Sequence, residues 1–113
     1  MELEKLQKAH VAAWNEKDRA KRDELLKSIY AEDIKMYDKN FILNGTPEIS
    51  DFIQKLHADP KFIFSSASDL EDLQNSARLF GKIYTSEGTI NSMDFFILEN
   101  GKVSHYYAFM SPE

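Results

Sequence analysis

Residues 92–110 read SMDFFILENGKVSHYYAFM. Glu99-Asn100-Gly101-Lys102 is a hairpin turn, because an Asn-Gly pair accepts the positive φ angles that a tight connection between antiparallel strands demands. Its flanks, Thr89–Leu98 and Val103–Met110, are rich in aromatic and β-branched side chains that suit a pleated sheet. Phe62–Leu73 and Ala77–Ser86 share that composition, with breaks at Asn75-Ser76 and Glu87-Gly88. The second half of the chain is therefore predicted to be a four-stranded antiparallel meander.

The first half has a different period. Leu3, Leu6, His10, Ala13 and Trp14 recur at spacings of three and four, which predicts an amphipathic helix with His10 on its apolar face. Asp18 is placed to cap a second helix marked by Ala20, Leu25, Leu26, Ile29 and Tyr30. Ile34–Asp38 and Phe41–Asn44 read as two short strands around Lys39-Asn40. Gly45-Thr46-Pro47 then starts a third helix, with Thr46 as its cap and Ile49, Phe52, Ile53 and Leu56 as its buried stripe. Three helices ahead of a meander make an α+β domain whose helices cover one face of a curved sheet.

At 113 residues the chain is read as one domain, 1–113. Fourteen Lys+Arg against 19 Asp+Glu give a net charge of −5, the wrong sign for a nucleic acid or an anionic membrane surface. With no cysteine, thiolate metal sites, disulfides and cysteine nucleophiles are excluded. His10, His57 and His105 are scattered, so no metal site is expected. The absence of GxGxxG, P-loop and GxSxG motifs argues against nucleotide cofactors and an α/β-hydrolase nucleophile, and no cofactor is expected. The N-terminus MELEKLQKAH interleaves charges with its leucines and offers no signal-peptide core, so a cytoplasmic location is expected and Asn44-Gly45-Thr46 reads as a turn rather than a glycosylation site.

The order HVAAWNEKD (10–18), IYAEDIKMYD (29–38), NGTPEISDFI (44–53) and SMDFFILENGKVSHYYAFM resembles the NTF2-like superfamily, in particular its SnoaL-like and ketosteroid-isomerase-like branches. The resemblance covers nearly the whole chain. It implies a cone-shaped fold in which a highly curved antiparallel sheet wraps three helices around a mostly apolar pocket, with frequent dimerisation through the outer sheet face. Ketosteroid isomerases use an aspartate base, a protonated aspartate and a helix tyrosine. Laid over this chain, these fall on Asp38, Asp94 and His10. The histidine departs from that pattern. So do a few extra residues between Asp18 and Tyr30, which resemble the longer second helix of SnoaL-like proteins.

Each candidate also has a plainer reading. Asp94 sits among apolar strand neighbours with Ser92 and Phe96 on its face, so it is either paired in the interior or solvated on the outside. Asp38 precedes Lys39-Asn40 and is either a pocket base or an ordinary turn residue. His10 is either a hydrogen-bonded core histidine or a pocket acid. Alternation groups Lys82 with Phe80 and Tyr84, and solvent is the favoured side, since a bulge at Gly81 could shift the register. The resulting expectation is a pocket for a small, apolar, carbonyl- or hydroxyl-bearing ligand of ring-system size, with Trp14, Tyr30, Phe96 and Tyr106 in its wall. Catalysis, if present, would be cofactor-free isomerisation or cyclisation by Asp38, Asp94 and His10. The rival is a non-catalytic binding or dimerisation module. The resemblance places Tyr106 inward. Phe95, His105, Tyr107 and Phe109 then supply an outer face for a homodimer.

Overall fold

A computed structural model describes residues 2–113. In chain order the elements are α1 Leu3–Asn15, α2 Arg19–Ile29, β1 Tyr30–Tyr37, β2 Ile42–Asn44, α3 Gly45–Leu56, β3 Ile63–Ser66, β4 Glu71–Leu73, β5 Ser76–Thr85, β6 Gly88–Glu99 and β7 Lys102–Pro112. The helix hairpin forms where predicted. Asp18 accepts the Lys21 amide at 3.0 Å and so satisfies one of the unpaired donors at the start of α2.

The start of α3 differs from expectation. Thr46 lies buried inside its first turn, while Asn44 is the cap residue and its amide is held by the Glu48 carboxylate at 2.8 Å. Tyr30, predicted to end α2, instead opens β1, and its ring is thereby turned beneath α1.

The sheet order is β2-β1-β7-β6-β5-β3, with β4 also on β5. It is mixed rather than antiparallel throughout, because β1 and β7 run parallel. Strands so far apart in sequence need no hairpin between them, and the long connection leaves their relative direction free. The expected strand Phe62–Leu73 is two strands. Four residues, Ala67–Leu70, face only Leu79 and Phe80 on β5, so the pairing breaks and resumes. Gln7 of α1 takes up part of that break by accepting the Leu70 amide at 2.8 Å.

One irregularity positions the site. On β7, Val103 pairs with Leu98 and His105 with Ile97, so Ser104 is an extra residue, and its hydroxyl returns to the Ile97 carbonyl at 3.2 Å. Val103 and Tyr106, three apart, therefore both face inward. Gly81 carries no such bulge, since the β5–β6 register runs through it unbroken. Lys82 reaches solvent by plain alternation and pairs with Glu113 at 2.8 Å. Gly81 is needed for another reason. A Cβ there would lie 2.7 Å from Phe64 Cε1 and 2.9 Å from Ser92 Oγ, so the missing side chain lets β3 and β6 close in on the interior.

Leu6 and Ala13 of α1, Leu26 and Ile29 of α2, and Ile49 and Ile53 of α3 pack on the inner sheet residues Ile34, Leu79, Phe96 and Val103. Among the described residues no helix is long and apolar enough to cross a membrane.

Candidate functional site

The helices do not fill the sheet's concave side. A cavity of about 160 Å³ remains, walled by apolar groups such as Phe52, Phe62, Phe64, Ile83 and Met110, with His10, Trp14, Asp38, Ser92, Asp94 and Tyr106 also in its lining. The helix period of α1 places His10 and Trp14 one turn apart on its inner face. The strand period of β6 places Ser92, Asp94 and Phe96 on the same inner side. Tyr106 reaches Asp94 diagonally across β6 and β7, since Asp94 is paired directly with Ala108.

These side chains form one buried network. His10 is 0% exposed and Asp94 is 3% exposed. Tyr106 donates its hydroxyl to Asp94 Oδ1 at 2.8 Å, and His10 Nε2 lies 2.9 Å from Asp94 Oδ2. On the other side of the ring, His10 Nδ1 is 2.6 Å from the Tyr30 hydroxyl, which also accepts Trp14 Nε1–H at 3.0 Å. Burial pushes both phenols well above their ordinary range. The negative charge of Asp94 adds to this, while for Tyr30 the hydrogen bond from Trp14 partly offsets it.

Both tyrosines therefore act as donors, and the donor count assigns the protons. Trp14 Nε1 can only donate, so His10 Nδ1 is the one partner that can accept the Tyr30 proton. The ring proton is then on Nε2 and is donated to Asp94. In that arrangement Asp94 accepts two hydrogen bonds from its neighbours and gives them none. The sequence reading cast Asp94 as a protonated donor. Toward His10 and Tyr106 it stands as an acceptor.

The remaining candidates separate. Trp14 and Tyr106 line the cavity, whereas Tyr30 and Phe96 do not. Tyr30 stands behind His10 and fixes the ring's tautomer. Phe96 presents its ring to the imidazole edge-on at 5.0 Å and belongs to the wall's backing. Asp38 stands at the cavity and in the turn at once. It lines the cavity, yet its Oδ1 accepts the Asn40 amide at 3.1 Å in the turn after β1. Asp38 is half-buried, while Asp94 lies deeper.

Sequence reasoning missed Ser92, whose hydroxyl is buried with no hydrogen-bond partner among the described residues. It also missed His57, which donates Nε2–H to the Trp14 carbonyl at 3.0 Å and so satisfies a carbonyl at the end of α1. Burial lowers the imidazole's affinity for a proton. The spacing of Ser92 from Asp94 was the available signal for the first, whereas nothing local marks the second. Among the described residues no three His, Asp or Glu groups stand together as a metal site.

No family model matches the chain, and no curated protein matches it in sequence. Solved structures do match. A SnoaL-like family protein from Agrobacterium tumefaciens, provisionally described as an isomerase, is 21% identical with a TM-score of 0.84, over 96% of this chain and 97% of that one. An NTF2-like protein of unknown function from Cytophaga hutchinsonii is 15% identical with a TM-score of 0.77, over 99% and 92%. A protein from Sinorhizobium meliloti, provisionally described as a polyketide cyclase, is 12% identical with a TM-score of 0.74, over 92% and 93%. At these identities the shared feature is the fold, the NTF2-like and SnoaL-like arrangement of three helices and a curved mixed sheet.

Proposed function

We propose that the cavity binds a small, apolar, carbonyl-bearing molecule and that Asp94, held by His10 and Tyr106, moves a carbon-bound proton on it without a cofactor, in an isomerisation or cyclisation. One observation carries this reading: a carboxyl group, nearly excluded from water and held by two hydrogen bonds, in the wall of an otherwise apolar cavity. Each of its oxygens receives one hydrogen bond and keeps lone-pair capacity for a further proton. Asp38 is the second carboxylate of the site, and Trp14 and Tyr106 supply aromatic wall.

The test is deuterium incorporation into cyclic ketones in deuterated water, followed by proton NMR, with the fluorescence of Trp14, the chain's one tryptophan, reporting binding. Exchange above the buffer rate is expected for ketones that bind. A second reading, a non-catalytic binding module, draws on the same network, because all four of its donors already have acceptors and none requires a substrate. Ketones that perturb Trp14 yet exchange only at the buffer rate would favour that reading.

We further propose a homodimer through the outer sheet face. Phe80, Met93 and Phe109 stand side by side across β5, β6 and β7. Phe80 is 40% exposed and Phe109 is 56% exposed. Next to them Tyr107 stacks on Tyr37 at 4.5 Å and packs near Phe95. A contiguous apolar row on a solvent face is unfavourable unless something covers it, and a second copy offers a matching one. Light scattering at micromolar concentration is expected to give about twice the 13.1 kDa chain mass. A value near 13.1 kDa would remove the dimer.

A further inference from the structure

The Ser92 hydroxyl is the one polar side-chain atom of the cavity lining that is buried and left without a partner among the described residues. Ser92 is 6% exposed and lines the cavity from β6, directly opposite Gly81, where a side chain would collide with the hydroxyl. An orphaned hydroxyl in an apolar enclosure is costly in the free protein. It becomes favourable when a bound molecule brings an acceptor.

Size adds a second constraint. A cavity of about 160 Å³ is close to the engineered cavity of about 150 Å³ that admits a single benzene ring. A fused-ring ligand would have to extend beyond it.

We propose that Ser92 is the ligand-orienting donor of the cavity and that the ligand is a monocyclic ketone or a compound of similar shape, its oxygen hydrogen-bonded to Ser92 Oγ. Ser92 and Asp94 are successive inward residues of one strand, about 7 Å apart along it. That distance is spanned by a hydrogen bond to a carbonyl oxygen and the carbon next to the carbonyl. A ring held by Ser92 therefore presents its α-carbon toward Asp94. The proposal rests on the cavity being a ligand site, and it narrows the expected ligand from a ring system to a single ring.

The test compares acetophenone with ethylbenzene, which has the same outline and no oxygen. Binding is followed by Trp14 fluorescence and amide NMR shifts in the wild type and in Ser92→Ala. Loss of one hydrogen bond is expected to weaken acetophenone about tenfold and leave ethylbenzene unchanged. The melting temperature should hold or rise, because the substitution removes an unsatisfied group. A purely structural serine would instead lower it. Ser92→Cys, close in size and a weaker donor, should move acetophenone in the same direction if Ser92→Ala folds poorly. Testosterone serves as the fused-ring probe and should not bind.

Three results would overturn the proposal. Ser92→Ala could weaken both monocycles alike or neither, while acetophenone still binds the wild type. In that case the Ser92 assignment fails and the cavity reading stands. Testosterone could bind as tightly as acetophenone, which removes the single-ring limit. Neither monocycle could bind the wild type, and then the cavity reading falls and takes Ser92 with it.

Discussion

Asp94→Asn lowers carbon-bound proton exchange of a bound cyclic ketone by about 10²–10⁴-fold, the range that a positioned acid–base group supplies. The amide keeps the shape of the carboxylate and cannot take the proton. It also disturbs its neighbours unequally. Tyr106 and His10 both donate to Asp94, and an asparagine offers one acceptor oxygen and one donor nitrogen to that pair. One donor is left facing another, at a cost of about 1–3 kcal/mol in stability. Asp38→Asn is the necessary comparison. Its side chain is half-buried and already tied to the turn through the Asn40 amide, so its loss should cost exchange less than about tenfold by weakening a distant charge alone. Exchange at saturating ketone and the urea midpoint, measured on both variants, separate the roles. If Asp38→Asn abolishes exchange and Asp94→Asn retains it, Asp38 is the base and Asp94 is not.

Much of this was legible in the sequence, and the rest was hidden for identifiable reasons. Asn100-Gly101 locates the β6–β7 hairpin because both residues adopt positive φ, 52° and 75°, which few other pairs accept. Helix periodicity located α1 and its inward His10. The alternation of β6 placed Ser92, Asp94 and Phe96 on one side, although which side faces inward needed the fold. What failed was information carried by distant partners. The parallel pairing of β1 with β7 has no local signature. Tyr30 fits a helix by its spacing from Leu26, and only the sheet makes it the first residue of a strand. The extra residue at Ser104 changes which side of β7 faces inward, and no Gly or Pro marks it. The hydrogen bonding of the site followed the same rule. An acidic residue in an apolar strand gives no sign of its partners, and those of Asp94, His10 and Tyr106, come from two other elements.

Arg22 shows most sharply what a local reading overlooks, and Arg22→Ala should lower folding stability by about 3 kcal/mol through lost hydrogen bonds and packing. In RAKRDELLKSI it looks like one more charge on a solvated helix face. It is in fact 0% exposed, whereas the apolar Ala20, one of the residues that mark the helix, lies on the outside. Its guanidinium donates Nε–H to Ser50 Oγ at 2.9 Å, one terminal nitrogen to the Glu16 carbonyl at 2.9 Å, and the other to Gln54 Oε1 at 2.8 Å. One side chain thus joins the α1–α2 turn to α2 and α3, and a planar fork is the group that can face three acceptors at once. Ser50 passes the contact on to Asp23 at 2.6 Å, which places a negative charge near the buried cation without direct pairing. Burial disfavours the charged guanidinium, and the neighbouring Arg19 adds to that effect. The favourable part of the arrangement is therefore the hydrogen bonding and not the charge. Arg22→Lys, which keeps the charge and loses the fork, should then lose about 1–3 kcal/mol rather than retain wild-type stability. Urea unfolding of the two variants distinguishes the cases. Wild-type stability in Arg22→Lys together with a large loss in Arg22→Ala would mean that charge, not fork geometry, holds the three helices together.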